Sequence, residues 1–296
     1  MSAHRPIDHV VSAPTGAVVA IGCFDGVHRG HDALIATALE LAGRRRADVV
    51  AVVADQGEGV ARLMGVSRRC ELLLCAGVSS AFVAPLPHPA DVRGVLGSTL
   101  ERLRPVIVLL DPESWSSQPR DELSQYLRHI GADVRGGMSV RDPTGRLIDT
   151  SVIMDSIRRG DVGTAEQMLG RPYELVGAVF DRQPGSPPRT YQTERVTLAD
   201  DVVMPRSGVY VARTLIGRRW VGTAINIGAG SSGDASGDVG VEAHLIDFDG
   251  DLHGAELSLR FVSRLRDEMR FVGSDERATQ VSRDVAAVRS VLRPGA

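Results

Sequence analysis

The sequence predicts a doubly wound α/β domain followed by a small antiparallel β-barrel with a C-terminal helix. Strand-like apolar runs alternate with helical stretches from residue 17 to about residue 170. Short strands separated by turn residues follow, and one amphipathic stretch ends the chain. The 296 residues suffice for two domains with a core each. We therefore expect a first domain over residues 1–170 and a second over 171–296.

The first domain is expected to hold a parallel sheet with helices on both faces, because its strands and helices alternate. In such a domain the ligand crevice lies at the carboxyl ends of the strands. The expected strands are 17–21, 49–53, 81–83, 106–110 and 133–135. The expected helices are 32–44, 67–76, 91–103, 120–130 and 153–169.

The second domain is expected to be an antiparallel barrel, because its short strands are rich in β-branched residues and are separated by turn residues. Glycine and serine crowd the predicted loop over 228–240. Valines at helical spacing predict a last helix over 274–292, closing the barrel on one side. The expected strands are 174–180, 208–215, 220–227, 241–248 and 256–262.

The composition is that of a globular protein, with 43% hydrophobic and 24% charged residues. The net charge of −3, with acidic and basic residues interspersed, gives no sign of a nucleic-acid-binding surface. No apolar run approaches the roughly 20 residues of a membrane span, and the first residues lack a leader's apolar core. We therefore expect a cytoplasmic protein without nucleic-acid or membrane partners; its oligomeric state stays open.

Every strongly basic side chain is arginine, since the sequence contains no lysine. This excludes a P-loop lysine and a Schiff-base lysine. Phosphate groups must therefore be bound by arginine, histidine, backbone N–H groups or a metal. The three cysteines, Cys23, Cys70 and Cys75, lack the spacing of a metal site.

The segment Gly22–His31 connects the first strand of the alternating pattern to a helix. Gly22 and Gly26 allow a tight turn, and the helix N-terminus directs N–H groups at a bound anion. His28 and His31 then lie beside that anion, where imidazoles stabilise charge developing on a phosphoryl group. The pattern points to nucleotidyl transfer; the plainer alternative is a glycine turn with two surface histidines.

These ten residues resemble the Gly-x-Phe-Asp-Gly-Val-His-x-Gly-His segment of the bifunctional prokaryotic FAD synthetase / riboflavin kinase family. The resemblance implies a nucleotidyltransferase domain of Rossmann-like fold that uses ATP and Mg²⁺. It implies that His28 and His31 bind the ATP phosphates during adenylyl transfer to FMN. The nucleotide-binding residues that it implies in this segment are Gly22, Phe24, Asp25, Gly26 and Gly30.

The segments 241–254, 261–268 and 283–285 resemble the riboflavin kinase module of the same family. By this resemblance Glu242 deprotonates the riboflavin 5′-hydroxyl as that oxygen attacks the γ-phosphate of ATP. Without the family context, Glu242 reads as a surface carboxylate on an edge strand. The resemblance also assigns Thr193 to the magnesium ion and Asn226 to the nucleotide.

The first module departs from the family pattern at three places. Asp55 and Asp111 match family positions that border the flavin, but their neighbours differ: Gly57 replaces a histidine, and Trp115 is left to offer a stacking face. Met154 replaces an arginine expected to hold the triphosphate. Two nearby arginines, Arg158 and Arg159, either compensate for it or form a solvated helix end.

The kinase module departs at Arg195, which replaces an asparagine and cannot ligate a metal. These losses leave three hypotheses open. The chain is a working flavin-nucleotide enzyme, or it transfers a nucleotidyl group to another phosphorylated acceptor, or it binds flavin or nucleotide without turnover.

Overall fold

The structure is a computed structural model that describes residues 5–6, 16–86, 92–114, 117–179, 192–198, 201–228, 240–269 and 274–293. The chain divides into two compact units. Unit 1 consists of Met1–Ile153 with Met168–Gly170, and unit 2 of Met154–Gln167 with Arg171–Ala296. This division groups residues 154–167 with the second unit, whereas the sequence prediction places them in the first domain.

Unit 1 contains a six-stranded parallel sheet in the order β1-β4-β3-β2-β5-β6. The strands are β1 (Arg5–Pro6), β2 (Val18–Gly22), β3 (Val49–Asp55), β4 (Ser80–Pro85), β5 (Ile107–Leu110) and β6 (Asp133–Gly136). The helices between them are α1 (Arg29–Gly43), α2 (Val66–Cys75), α3 (Val92–Leu103) and α4 (Ser117–His129).

Helices cover both faces of this sheet, which confirms the predicted doubly wound domain. The central strands β2 and β3 are runs of valine, alanine and isoleucine buried almost throughout, as expected of a strand covered on both sides. One core packs α3 and α4 against the sheet, and the other packs α1 and α2. The strand order reverses between β2 and β5, so the ligand crevice is expected at their carboxyl ends.

The predicted helix over 153–169 is wrong in one respect, because two helices occupy this stretch. They are α5 (Thr150–Arg158) and α6 (Val162–Leu169). Gly160 ends the first helix with a φ of +80°, a conformation that favours glycine. The Asp161 carboxylate then accepts a hydrogen bond of 3.0 Å from the Thr164 N–H and begins the second helix.

Unit 2 contains a closed antiparallel barrel in the order β10-β11-β8-β7-β12-β9, as the sequence predicts. Its strands are β7 (Glu174–Val179), β8 (Gln192–Leu198), β9 (Gly208–Ile216), β10 (Arg219–Gly228), β11 (Gly240–Leu245) and β12 (Glu256–Arg266). The sequence analysis missed β8. It also extended β11 to residue 248, but the chain turns after Leu245, and Asp247 has a φ of 56°.

The last helix, α7 (Ser274–Val291), packs on one face of the barrel sheet. Val285 and Val288 contribute to an apolar cluster with side chains from the strands. The Arg266 guanidinium pairs with both oxygens of Asp284, at 2.9 and 2.6 Å, and fastens the helix to β12. Among the described helices none has the length and apolar character of a membrane span.

Three sequence predictions concern residues outside the described parts of the chain. They are the stacking role of Trp115, the end of the predicted strand at Phe180, and the glycine- and serine-rich loop over residues 229–239.

Candidate active site

The candidate site in unit 1 lies where β2 and β5 end side by side. Ile21 and Leu110 are paired in the parallel ladder, so the loops that follow them start next to each other. A Cβ atom on Gly22 would lie 2.6 Å from the Cβ of Asp111. Only glycine therefore fits at position 22, and its lack of a side chain lets the two loops touch.

The loop after Gly22 holds strained backbone around buried side chains. Phe24 and Val27 have φ values of 50° and 38°, although neither is a glycine. Gly26 also has a positive φ, of 84°, and a Cβ on it would lie 2.6 Å from Leu63 Cδ1. Left-handed backbone at a β-branched residue is costly and is concentrated at functional sites.

Asp25 fastens this loop to the loop that follows β3. Its carboxylate accepts hydrogen bonds from the N–H groups of Leu63 and Met64, at 2.8 and 3.3 Å. The Arg69 guanidinium lies 3.1 Å from the same carboxylate and is its third partner. The structure thus directs the carboxylate at neighbouring protein groups, and the predicted nucleotide-binding role of Asp25 stays a prediction.

His28 and His31 form a stacked pair at the start of α1. Their ring centroids lie 3.8 Å apart at an interplanar angle of 16°, and the side chains are 0% and 2% exposed. His28 is the N-cap residue; its ring accepts a hydrogen bond from the Gly30 N–H, and the His31 ring accepts one from the His28 N–H. Phe24 meets the His31 ring edge-on at 5.3 Å and supports the pair.

These backbone bonds determine which nitrogen of each ring carries the proton. His28 Nδ1 accepts from the Gly30 N–H at 3.1 Å, and His31 Nδ1 accepts from the His28 N–H at 3.3 Å. An imidazole nitrogen that accepts a hydrogen bond carries no proton, so the proton is on Nε2 in both rings. Both Nε2–H groups are therefore donors that suit an anion.

Two carboxylates lie opposite these Nε2–H groups and accept their hydrogen bonds. His28 Nε2 lies 3.2 Å from Glu113 Oε2, and His31 Nε2 lies 3.5 Å from Asp111 Oδ2. Ser114 also donates from its hydroxyl to Asp111. Asp111 is buried behind His31 and orients that ring, while its predicted role in flavin binding stays a prediction.

The pKa values of two of these groups are shifted. Burial lowers the pKa of His28 below 6.5, more strongly than the hydrogen bond to Glu113 raises it. Burial alone would raise the pKa of Asp111, but the hydrogen bonds from His31 and Ser114 lower it below its usual value. At neutral pH the site therefore contains an uncharged His28 and a charged Asp111.

Ligand atoms of His28, His31 and Glu113 lie within 4.8 Å of one another, a spacing that a metal ion could bridge. A metal-bound histidine binds through an unprotonated nitrogen and donates from the other one. Here the hydrogen bonds require the opposite arrangement, because Nδ1 accepts and Nε2 donates. The hydrogen bonds at Nδ1 therefore favour Nε2–H donors over metal ligands in this histidine pair.

The N-terminus of α5 lies at the same place. The Thr150 N–H donates to Glu113 Oε2 at 3.1 Å. This one carboxylate oxygen therefore accepts hydrogen bonds both from His28 and from the N-terminus of α5. Asp149 caps this helix through the Val152 N–H at 2.9 Å. Sequence reasoning missed both Thr150 and Glu113; the signal for Glu113 was its position three residues after a buried strand.

The other candidate residues of the first domain lie as follows. Asp55 ends β3 and has the Arg62 guanidinium 3.8 Å away, and its flavin-binding role stays a prediction. The two arginines considered as substitutes at position 154 have local partners. Arg158 pairs with Asp155 at 3.3 Å, and Arg159 donates to the Ser156 hydroxyl at 3.2 Å.

In unit 2 the ladder register brings three predicted site positions together. Glu242 on β11 pairs with Arg195 on β8 and with Asn226 on β10, so these three residues form one row across three strands. Glu242 is 6% exposed, whereas Arg195 is exposed. Thr193 is opposite His244, two pairs further along the same ladder.

Both units match models of known families. Residues 10–87 match the FAD synthetase model, and residues 169–292 match the riboflavin kinase model. A bifunctional riboflavin kinase/FMN adenylyltransferase of Pseudomonas fluorescens is 28% identical, covering 95% of this chain and 94% of that protein. The protein of the same description from Escherichia coli K12 is 27% identical and covers 96% of each chain.

One solved structure shares the fold over nearly the whole length. The crystal structure titled as a macrolide-efflux protein from Streptococcus pneumoniae has a TM-score of 0.78 and 21% sequence identity. It covers 96% of this chain and 97% of that one.

Proposed function

We propose that the chain, which belongs to the bifunctional FAD synthetase / riboflavin kinase family, transfers the adenylyl group of ATP to FMN in its first unit. The second unit, in the region that matches the riboflavin kinase model, phosphorylates riboflavin. The observation that carries the first assignment is the stacked histidine pair, whose two Nε2–H donors lie beside the N-termini of α1 and α5.

In the first reaction a phosphate oxygen of FMN attacks the α-phosphorus of ATP. The new bond joins that oxygen to the α-phosphorus, the bond to the β-phosphate oxygen breaks, and pyrophosphate leaves. Negative charge spreads over the phosphoryl oxygens in the transition state. The His28 Nε2–H group donates to those oxygens in place of Glu113. The His31 Nε2–H group, 3.5 Å from Asp111, shares its hydrogen bond with them. Both helix N-termini lower the energy of the same charge.

In the second reaction Glu242 takes the proton of the riboflavin 5′-hydroxyl as that oxygen attacks the γ-phosphorus of ATP. The new bond joins the oxygen to the γ-phosphorus, the bond to the β-phosphate oxygen breaks, and ADP leaves. The burial of Glu242 between strands and its register with Asn226 support this role, because a general base has to be held at a fixed position. Asn226 then contacts the nucleotide. Arg195, in the same row, supplies a positive charge to the phosphates in place of a metal ligand.

Mg²⁺ belongs to the proposal as the companion of ATP. Thr193, to which the family resemblance assigns the ion, offers a hydroxyl oxygen, and oxygen is the ligand that this hard cation prefers, whereas the histidine pair of unit 1 offers nitrogen. When bound, the ion neutralises phosphate charge. A cytoplasmic location without membrane or nucleic-acid partners stays a prediction from the sequence.

The direct test is chromatography of the purified protein incubated with Mg²⁺ and ATP, in separate tubes with FMN and with riboflavin. We expect FAD from the first tube and FMN from the second. His28→Ala should abolish most FAD formation, by about 100-fold or more, because it removes a donor aimed at developing charge. Glu242→Gln should abolish FMN formation and leave FAD formation intact.

Matched variants control for general damage. His129→Ala removes an exposed histidine at the end of α4, and Glu256→Gln removes an exposed carboxylate at the start of β12. Both should behave as wild type. Unchanged FAD formation in His28→Ala would contradict the mechanism of unit 1. Pyrophosphate release that requires another phosphorylated compound in place of FMN, with no FAD from FMN, would instead point to that acceptor.

A further inference from the structure

The carboxylate of Glu113 lies where a phosphate oxygen would be bound. Its Oε2 atom accepts from His28 Nε2 at 3.2 Å and from the Thr150 N–H at 3.1 Å. The proposed function assigns this His28 donor, and the α5 N-terminus to which Thr150 belongs, to ATP. We name this pair of donors the anion seat.

A carboxylate and a phosphoryl group use the same donors in the same way, since each offers negatively charged oxygens to N–H groups. Glu113 comes from within the chain, so it is always present at high local concentration. Its side chain is still 23% exposed, which gives it a route to turn out into solvent. A ligand must displace it before taking the seat.

Charge adds to this competition. Asp111 is held ionised 3.5 Å from His31, and its burial leaves it poorly screened. With Glu113 in the seat, the histidine pair faces two carboxylates, and an arriving anion meets both charges. Turning Glu113 outward removes one charge and frees two donors at the same time.

We propose that Glu113 is an internal competitor that sets the anion selectivity of the first-unit site. A nucleoside triphosphate has enough further contacts to displace it, whereas a single inorganic phosphate does not. This inference rests on the proposed function, because it takes the ligand of the site to be ATP.

The test measures the dissociation constants of ATP and of inorganic phosphate for wild type, Glu113→Ala and Glu113→Gln by calorimetry. If the seat is open in about one molecule in ten, Glu113→Ala should bind ATP about tenfold more tightly. Inorganic phosphate should bind measurably only to the variants. Gln keeps an oxygen that the seat can hold but lacks the charge, so its affinities should lie between those of wild type and Ala.

Glu40→Ala and Glu40→Gln are the matched controls, because Glu40 is an exposed carboxylate near the other end of α1. They change the net charge equally and should leave both constants unchanged. Circular dichroism of each variant checks that the fold is kept.

Equal or weaker ATP binding by both Glu113 variants would overturn the competition, and weaker binding would make Glu113 a contributor to the ATP site. If FAD is still formed from FMN in that case, the proposed function is kept and only the competition by Glu113 is overturned. Tighter ATP binding by Glu113→Ala without FAD from any sample would leave the competition standing and overturn the proposed function. Binding by none of the proteins would overturn both.

Discussion

At the scale of single residues, Gly30 determines whether the His28 ring can take its position. The Gly30 N–H donates to His28 Nδ1, and a Cβ at position 30 would lie 2.8 Å from His28 Cε1. Real Cβ atoms essentially never approach another heavy atom so closely, so the ring would have to turn away. The histidine pair thus depends on a glycine two residues beyond its first member.

We predict that Gly30→Ala lowers FAD formation by at least about tenfold, because the turned ring no longer presents Nε2–H to phosphate. Helix propensity favours alanine over glycine by about 1 kcal/mol, so the stability of the unit should change little. Initial rates of FAD synthesis and urea unfolding together check this. Gly43→Ala, in open space at the end of the same helix, should keep full activity; a Gly30→Ala enzyme as active as that control would contradict the prediction.

The lowered pKa of His28 predicts how the stability of unit 1 depends on pH. Since the folded protein protonates this ring at lower pH than the unfolded chain, the unfolded chain binds more protons just below pH 6.5. The free energy of unfolding should therefore fall as the pH drops below that value and should not change through His28 above it. Urea unfolding at pH 5.0, 6.0 and 7.5 measures this.

His28→Gln cannot titrate, so its stability should decline less than that of wild type between pH 7.5 and 5.0. A decline of equal size in both proteins would assign the effect to other groups.

At the scale of elements, the N-termini of α1 and α5 supply the donors of the proposed anion site. The α1 terminus does so through the His28 side chain, and the α5 terminus through the backbone N–H of Thr150. A backbone N–H donor is present whichever side chains the residues of the helix carry. The loss of the expected arginine at Met154 therefore leaves the helix contribution to the site intact.

This predicts a difference between two substitutions at one position. Proline is tolerated at the first residue of a helix but has no N–H, so Thr150→Pro removes the donor, whereas Thr150→Ala keeps it. In a Glu113→Ala background, where no internal carboxylate competes, Thr150→Pro should bind ATP about tenfold more weakly than Thr150→Ala. Calorimetric titration of the two double variants decides this, and equal affinities would remove the Thr150 N–H from the site.

Most elements were predictable because their periodicity is strong, and the misses have local causes. The β8 sequence, Gln-Thr-Glu-Arg-Val-Thr-Leu, carries few apolar residues, and its pairing with β11 and β7 is a long-range contact that no local pattern reveals. The break between α5 and α6 was visible at Gly160, but an apolar period on both sides masked it.

In the candidate site, too, the residues within one segment were predictable and those joined by long-range contacts were not. His28 and His31 were predictable from spacing within one segment. Glu113 and Thr150 come from two distant segments and meet the pair only through the strand order and the start of α5. In unit 2, the row of Arg195, Glu242 and Asn226 required a register that depends on the missed strand.

At the scale of the whole molecule, each unit has apolar clusters of its own, so we expect each to unfold as a separate transition. Gly22→Ala should destabilise unit 1 by about 1–3 kcal/mol, because its Cβ would overlap Asp111. Asp284→Ala should destabilise unit 2 by about 2–3 kcal/mol, because Arg266 and Gln280 lose a largely buried partner.

Differential scanning calorimetry checks this, with each variant moving one transition and leaving the other in place. A single transition that both variants shift would show that the two units unfold together.

The hydrogen bonds and the ion pair of Asp25 also limit which sequence changes this protein can accept during evolution. Two backbone N–H groups and one guanidinium converge on that single carboxylate, so its bonds to the loop before Met64 do not depend on which side chains the loop carries. An inserted or deleted residue would displace those donors by about 3.8 Å and leave a buried charge unpaired. Descendants of this chain should therefore vary at Gln56 and Glu58 by substitution, while the length of the loop stays constant.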